Sequence, residues 1–131
     1  MKRSSAQRVL RDVASKVLQN YRDVVGVQSA VLFSADGFEL ASYAADEAAA
    51  ARLAAIGSSL AALGSAISAE AGLDEFERTT IESKSGTVTI MRVGDDGAMS
   101  LAVVAGRNAV LGQLLWATQR CSQALAAAVH T

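Results

Sequence analysis

Proline is absent from the 131 residues, cysteine and histidine occur once each, and aromatic residues make up only 5%. The lone Cys121 cannot form an internal disulfide, and with His130 at the penultimate position there is no Cys/His set to bind a metal or arm a nucleophile. No G-x-x-x-x-G-K-[ST] phosphate loop occurs, and Gly94-Asp95-Asp96-Gly97 fits neither a dinucleotide fingerprint nor a calcium loop. The acidic pairs Asp74-Glu75 and Asp95-Asp96 lie at expected element ends and turns, where such residues cap and bend the chain. An enzyme, a metal site, a bound cofactor and nucleic-acid binding are therefore not expected. Long apolar runs are missing too. The longest uncharged stretch, residues 53–69, has 17 residues and includes Gly57, Gly64 and four serines, which is short and polar beside the ~20 apolar residues of a membrane span. The first eight residues lead into a charged amphipathic segment rather than an apolar signal core. A cytoplasmic location without membrane insertion is expected.

What is abundant is alanine, 27 residues in a chain that is 51% hydrophobic and 19% charged. That is too apolar for disorder, and the length suits one domain over residues 1–131, burying roughly 68% of its unfolded surface. The net charge of −1 conceals an asymmetry: residues 1–22 carry six Lys/Arg against the single Asp12, whereas residues 46–96 carry nine Asp/Glu against four Lys/Arg.

Residues 4 to about 24 place Val9, Leu10, Val13, Val17, Tyr21 and Val24 within about 120° of a helix, with Ser4 or Ser5 available as a cap. Arg8, Arg11 and Arg22 share the opposite side, either as a solvated face or toward an anionic partner. Two β-like runs, residues 28–33 and 38–42, flank Asp36-Gly37, a hairpin signal. Residues 76–83, 87–93 and 98–105 then read as a three-stranded meander, and Asn108 is placed to cap a helix over 109–129. On that helix Leu111, Leu114, Thr118, Cys121, Leu125 and Ala128 form one stripe. Trp116 falls roughly opposite it, either packed sideways on the first helix or marking a partner surface. The order is α-β-β-α-β-β-β-α.

Between them lies a helix over residues 46–71, capped by Asp46 and ended by Gly72. Its ridge Leu53, Ile56, Leu60, Leu63 and Ile67 is expected to be core. About 90° around the helix, Ala50, Gly57, Ala61, Gly64 and Ser68 form a row of small residues that invites close approach of another backbone. The remaining face, Glu47, Ala51, Ala54, Ala55, Ser58, Ala62, Ser65 and Ala69, holds a single charge, which is expected if a partner covers it. Tolerance of alanine on an ordinary surface is the alternative.

Several segments resemble the roadblock family, named for the dynein light chain and including bacterial regulators of the MglB type. They are Val24-Val25-Gly26-Val27-Gln28-Ser29-Ala30-Val31-Leu32, Asp36-Gly37-Phe38-Glu39-Leu40-Ala41-Ser42, Ile81-Glu82-Ser83-Lys84-Ser85-Gly86, Leu101-Ala102-Val103-Val104, Asn108 and Leu111-Gly112-Gln113-Leu114-Leu115. The resemblance implies an α+β, roadblock/profilin-like fold: a five-stranded antiparallel sheet with the central helix on one face and the terminal helices on the other. It also implies a homodimer in which central helices pair and the strand after them joins its counterpart. The small row and the polar, edge-like run over residues 75–83 agree with this, and place Gly57, Ala61, Gly64, Ser68, Glu77, Arg78 and Thr80 at the dimer interface. The resemblance implies a non-catalytic regulator of a Ras-like small GTPase, docked through Arg52, Ser58, Ala62, Ser65 and Glu70. The alternative is a dimeric structural adaptor in a signalling or motility complex, with no nucleotide-switch role.

Overall fold

The computed structural model describes residues 5–129; the Ser4 cap and His130 lie outside them. Helix α1 (Ser5–Leu18) runs into a 3₁₀ turn (Gln19–Asp23), followed by strands β1 (Val27–Ser34) and β2 (Glu39–Tyr43). Helix α2 (Glu47–Glu70) leads to β3 (Arg78–Ser83), β4 (Gly86–Val93) and β5 (Met99–Gly106), and helix α3 (Leu111–Val129) closes the order α-β-β-α-β-β-β-α. The strands form one antiparallel sheet in the order β2-β1-β5-β4-β3. β1 and β5 lie at its centre, which is why Ala30-Val31-Leu32-Phe33 and Leu101-Ala102-Val103 are continuous apolar runs buried on both faces.

Because successive side chains point to opposite faces of a strand, each run feeds two cores. Leu32, Leu101 and Val103 meet Ala14, Leu18, Tyr21, Leu114 and Leu125 beneath the terminal helices. Val31, Phe33, Ile90 and Ala102 meet Ala50, Ala54 and Phe76 beneath α2. Asp46 caps α2, its carboxylate accepting from the Ala49 N–H at 2.8 Å. At the other end Gly72, at φ +73°, allows the Leu73 N–H to reach back to the Ser68 carbonyl at 2.9 Å and stop the helix.

Three local expectations are corrected. α1 is rolled relative to its apolar arc: Ala14 and Leu18 meet the sheet, Val9 and Val13 are exposed, and Arg11 pairs with Glu39 on β2 instead of joining a solvated arginine face. α3 starts at Leu111 rather than 109, and Asn108 does not cap it. The chain before α3 is held outside the helix because Ala109 presses on Gly26, where a Cβ would stand 2.6 Å from the Ala109 Cα, and Gly106 donates to the Gly26 carbonyl at 2.8 Å. Consistent with that later start, Leu111 is exposed while Leu114, Thr118, Cys121 and Leu125 are buried. Finally, β3 begins at Arg78, because Phe76 turns inward and is buried under α2.

Candidate interaction surface

The two rows on α2 exchange roles relative to the sequence expectation. The small row faces the sheet: Ala50 and Gly57 are buried, with Ala61 packed partly beside them. The reason lies beneath the helix, where two aromatic rings rise toward it, Phe33 from β1 and Phe76 from the segment before β3. A Cβ at Gly57 would stand 2.8 Å from the Phe33 Cζ, and one at Gly64 would stand 2.6 Å from the Phe76 Cδ2. The glycines are the hollows into which the rings fit, so they contact this chain's own sheet and are not open to a second helix.

The ridge expected to be core turns outward instead. Leu53 and Leu60 lean against the core edge, but Ile56, Leu63 and Ile67 are 67%, 58% and 68% exposed. An apolar ridge bared over residues 56–67 of a helix is a contact surface left open. β3 lies at the sheet edge beside it. Ile81 pairs in register with Val88, whose side chain packs in the core beneath α2, so Ile81 points to the α2 face, where it is 46% exposed. Thr80 lies on the other face, its hydroxyl 3.4 Å from that of Thr89. An edge strand paired on one side only and an apolar helix ridge therefore flank one another.

The other expected site residues are spread over this layer. Glu77 and Arg78 are exposed at the start of β3, Thr80 is exposed within it, and Ser68 is half-buried at the end of the small row. Ser58, Ala62 and Ser65 come together with Phe33, Phe76 and Arg92 along a groove of about 430 Å³ between α2 and the end of the sheet. Ser58 is spoken for locally, its hydroxyl donating to the Ala55 carbonyl at 2.9 Å. Arg52 and Glu70 are exposed outside that groove, about 27 Å apart at 1.5 Å per residue. Arg92 organises the end of the groove, donating to Glu75 Oε2 at 2.7 Å and to the Asp95 carbonyl at 3.1 Å. The residues missed as a surface, Ile56, Leu63, Ile67 and Ile81, carried a signal in the sequence: spacing showed the ridge, and only its side was wrong.

On the opposite layer Trp116 lies beside the 3₁₀ turn, in a groove with Asn20, Tyr21 and Val24. It is 62% exposed, with the Arg120 guanidinium 4.7 Å from the ring centroid.

Comparison with known proteins follows the same lines. A roadblock/LC7 domain structure from Streptomyces avermitilis superposes with a TM-score of 0.80 at 25% identity, covering 92% of this chain and 98% of that one. Myxococcus xanthus MglB gives 0.79 at 15% identity, with 97% and 92% covered. The gliding protein MglB of Thermus thermophilus gives 0.76 at 20% identity, with 99% and 95% covered. The search of curated proteins finds no match. The Roadblock/LC7 domain pattern matches residues 13–105, most of the sheet and all of α2, and the chain belongs to the Roadblock/LC7 domain family.

Proposed function

We propose that this protein is a homodimeric, non-catalytic regulator that binds a Ras-like small GTPase and stabilises one conformation of its switch loops. The observation that carries the reading is the bared ridge Ile56, Leu63 and Ile67 beside the open β3 edge. A two-fold axis beside both would pair ridge with ridge and β3 with β3, and would remove two liabilities at once. Each fully buried Ile or Leu contributes roughly 1.5–3 kcal/mol, so three per protomer make a substantial apolar centre. Glu77, Arg78 and Thr80 would lie along the strand contact, with Arg78 near a partner carboxylate according to register. Gly57, Ala61, Gly64 and Ser68 support the interface from beneath by seating α2 close to its sheet.

Pairing through the ridge leaves the other outward faces of the two α2 helices side by side. Ser58, Ala62 and Ser65 belong to those faces, with Arg52 and Glu70 beside the ridge toward the two ends of the helix, and a smooth alanine and serine surface admits a broad partner. Family membership and the likeness to MglB support a GTPase as that partner. A protein acting in this way shifts a switch only by its difference in affinity for the two states. No residue need enter the nucleotide chemistry, and the protein would act in the cytoplasm.

Two measurements test the reading. Light scattering should give a dimer for the wild type and a folded monomer for Leu63→Glu. Titration with a small GTPase encoded beside this gene should show unequal affinity for the GDP and GTP-analogue forms. Equal affinity would leave a dimeric adaptor without a switch role, and a monomeric wild type would remove the interface.

A further inference from the structure

Charge is divided between the two layers that sandwich the sheet. From α1 through the 3₁₀ turn, and from Gly106 to the end of α3, the described chain holds six Lys/Arg (Arg8, Arg11, Lys16, Arg22, Arg107 and Arg120) against Asp12, Asp23 and the Glu39 of β2 that pairs with Arg11. Residues 46–77, which contain α2 and its flanks, hold Arg52 against six Asp/Glu. α3 carries no acidic residue at all. The terminal-helix layer therefore attracts anionic partners, while the α2 layer repels them.

The basic layer also has a shaped feature. Between the 3₁₀ turn and α3 runs a groove of about 290 Å³, lined among others by Asn20, Tyr21, Val24, Trp116, Arg120 and Ala124. Tyr21 is buried and fixed by a hydrogen bond to Thr118 at 3.0 Å, so one wall is rigid. On the outer wall Arg120 lies over the Trp116 ring. Stacking holds the guanidinium in place while leaving its N–H edge to grip a carboxylate, and tryptophan and arginine are the residues most enriched among binding hot spots.

We propose that this groove docks an acidic polypeptide segment, which inserts one apolar side chain beside Trp116 while a neighbouring carboxylate meets Arg120. The volume suits a single side chain. A membrane surface fits less well, because around Trp116 the outward face of α3 reads Gln113, Gln119, Arg120 and Gln123, a single aromatic among polar groups, whereas interfacial helices present several large apolar residues. The site lies on the face of the sheet opposite α2, so it is independent of the dimer and GTPase surfaces, and a dimer would carry two such sites.

Trp116 is the only tryptophan, and it reports directly on the groove. The probe is a short synthetic peptide of glutamates and alanines around one central leucine, titrated into the full chain while indole emission is followed. The expected result is a saturable blue shift, weakened about tenfold or more in Arg120→Glu, equivalent to at least about 1.4 kcal/mol. Lys84→Glu, which makes the same charge change on the distant β3–β4 turn, should bind as the wild type does. The Leu63→Glu variant should retain the shift, which separates this site from the α2 interface. The proposal is overturned if the peptide leaves the emission unchanged, or if Arg120→Glu and Lys84→Glu weaken it equally. A peptide with serine in place of leucine binding as well, or phosphatidylglycerol vesicles giving the shift when the peptide does not, would overturn it too.

Discussion

At Gly64 the helix meets the ring of Phe76, and a methyl group there would fall within 2.6 Å of its Cδ2. Phe76 is itself buried against α2, so it has little room to retreat. Gly64→Ala therefore sets overpacking of about 1–3 kcal/mol against about 1 kcal/mol of regained helix propensity. A net loss of up to about 2 kcal/mol is expected, read as a lower urea midpoint with an unchanged slope; a gain would show that the ring yields. The sequence displayed both rows of α2 but not which met the sheet, because a helix apolar on nearly every side has no polar face to orient it. The missing information was long-range: only when Phe33 on β1 and Phe76 before β3 are known to lie beneath the helix do glycines seven residues apart become their sockets. A second residue-scale prediction concerns the core under α3. Burial drives the Tyr21 phenol far above its usual range, with Cys121 adding to it, and burial raises the Cys121 thiol as well. Both are acids whose neutral form the fold favours, so their contribution is complete below the ordinary values of 9.0 and 10.0 and is lost as pH rises beyond them. Stability should fall through the alkaline range, and Tyr21→Phe should flatten the upper part of that fall while losing about 1 kcal/mol at neutral pH with the Thr118 hydrogen bond. A urea-denaturation series stepped upward through this range distinguishes the two.

Among the elements, β3 was legible at the sheet edge from its composition alone, since Arg78-Thr79-Thr80-Ile81-Glu82-Ser83 is polar and mixed in charge where the other strands are apolar. Its true start was not. Phe76 looked like a strand residue because aromatics favour strands, and only the hollow at Gly64 explains why it leaves the ladder. The two turns were legible for a local reason: Gly37 adopts φ +90° and Gly97 φ +72°, conformations that demand glycine wherever the chain is. The edge makes a prediction about dynamics. Within β3 alternate amides point toward β4 and the rest point away, so an isolated protomer protects only half of them. If β3 pairs with its counterpart, hydrogen exchange should show protection at consecutive β3 amides in the wild type and at alternate ones in Leu63→Glu, with β4 and β5 unchanged. An identical alternating pattern in both proteins would mean that dimerisation, if present, leaves the strand edge open.

For the whole molecule, the sandwich puts an apolar ridge on the acidic layer and a Trp–Arg groove on the basic one, and these two surfaces respond to salt in opposite ways. Contacts between apolar side chains do not weaken as ions are added, since the driving force is removal of surface from water. Contacts between exposed charges do weaken, because the Debye length shrinks from ~10 Å at about 0.1 M to ~3 Å at about 1 M. Raising the salt over that range should leave the light-scattering mass of the proposed dimer unchanged, or strengthen the association slightly. The same change should weaken binding of the acidic peptide at Trp116 by about tenfold or more, given steering by a layer with six cations against three anions, Glu39 included. Dissociation of the dimer by salt would reassign its interface to the charged residues of β3, Glu77, Arg78 and Glu82, in place of Ile56, Leu63 and Ile67. The sequence held the raw form of this division in its basic first 22 residues and acidic middle. That α3, distant in the chain and free of carboxylates, folds onto the same side as α1 followed only from the family resemblance, because it depends on where the sheet lies between the helices. In the proposed dimer this arrangement gives two kinds of contact. One is apolar, salt-insensitive and symmetric, and the other is charged, salt-sensitive and present once on each protomer.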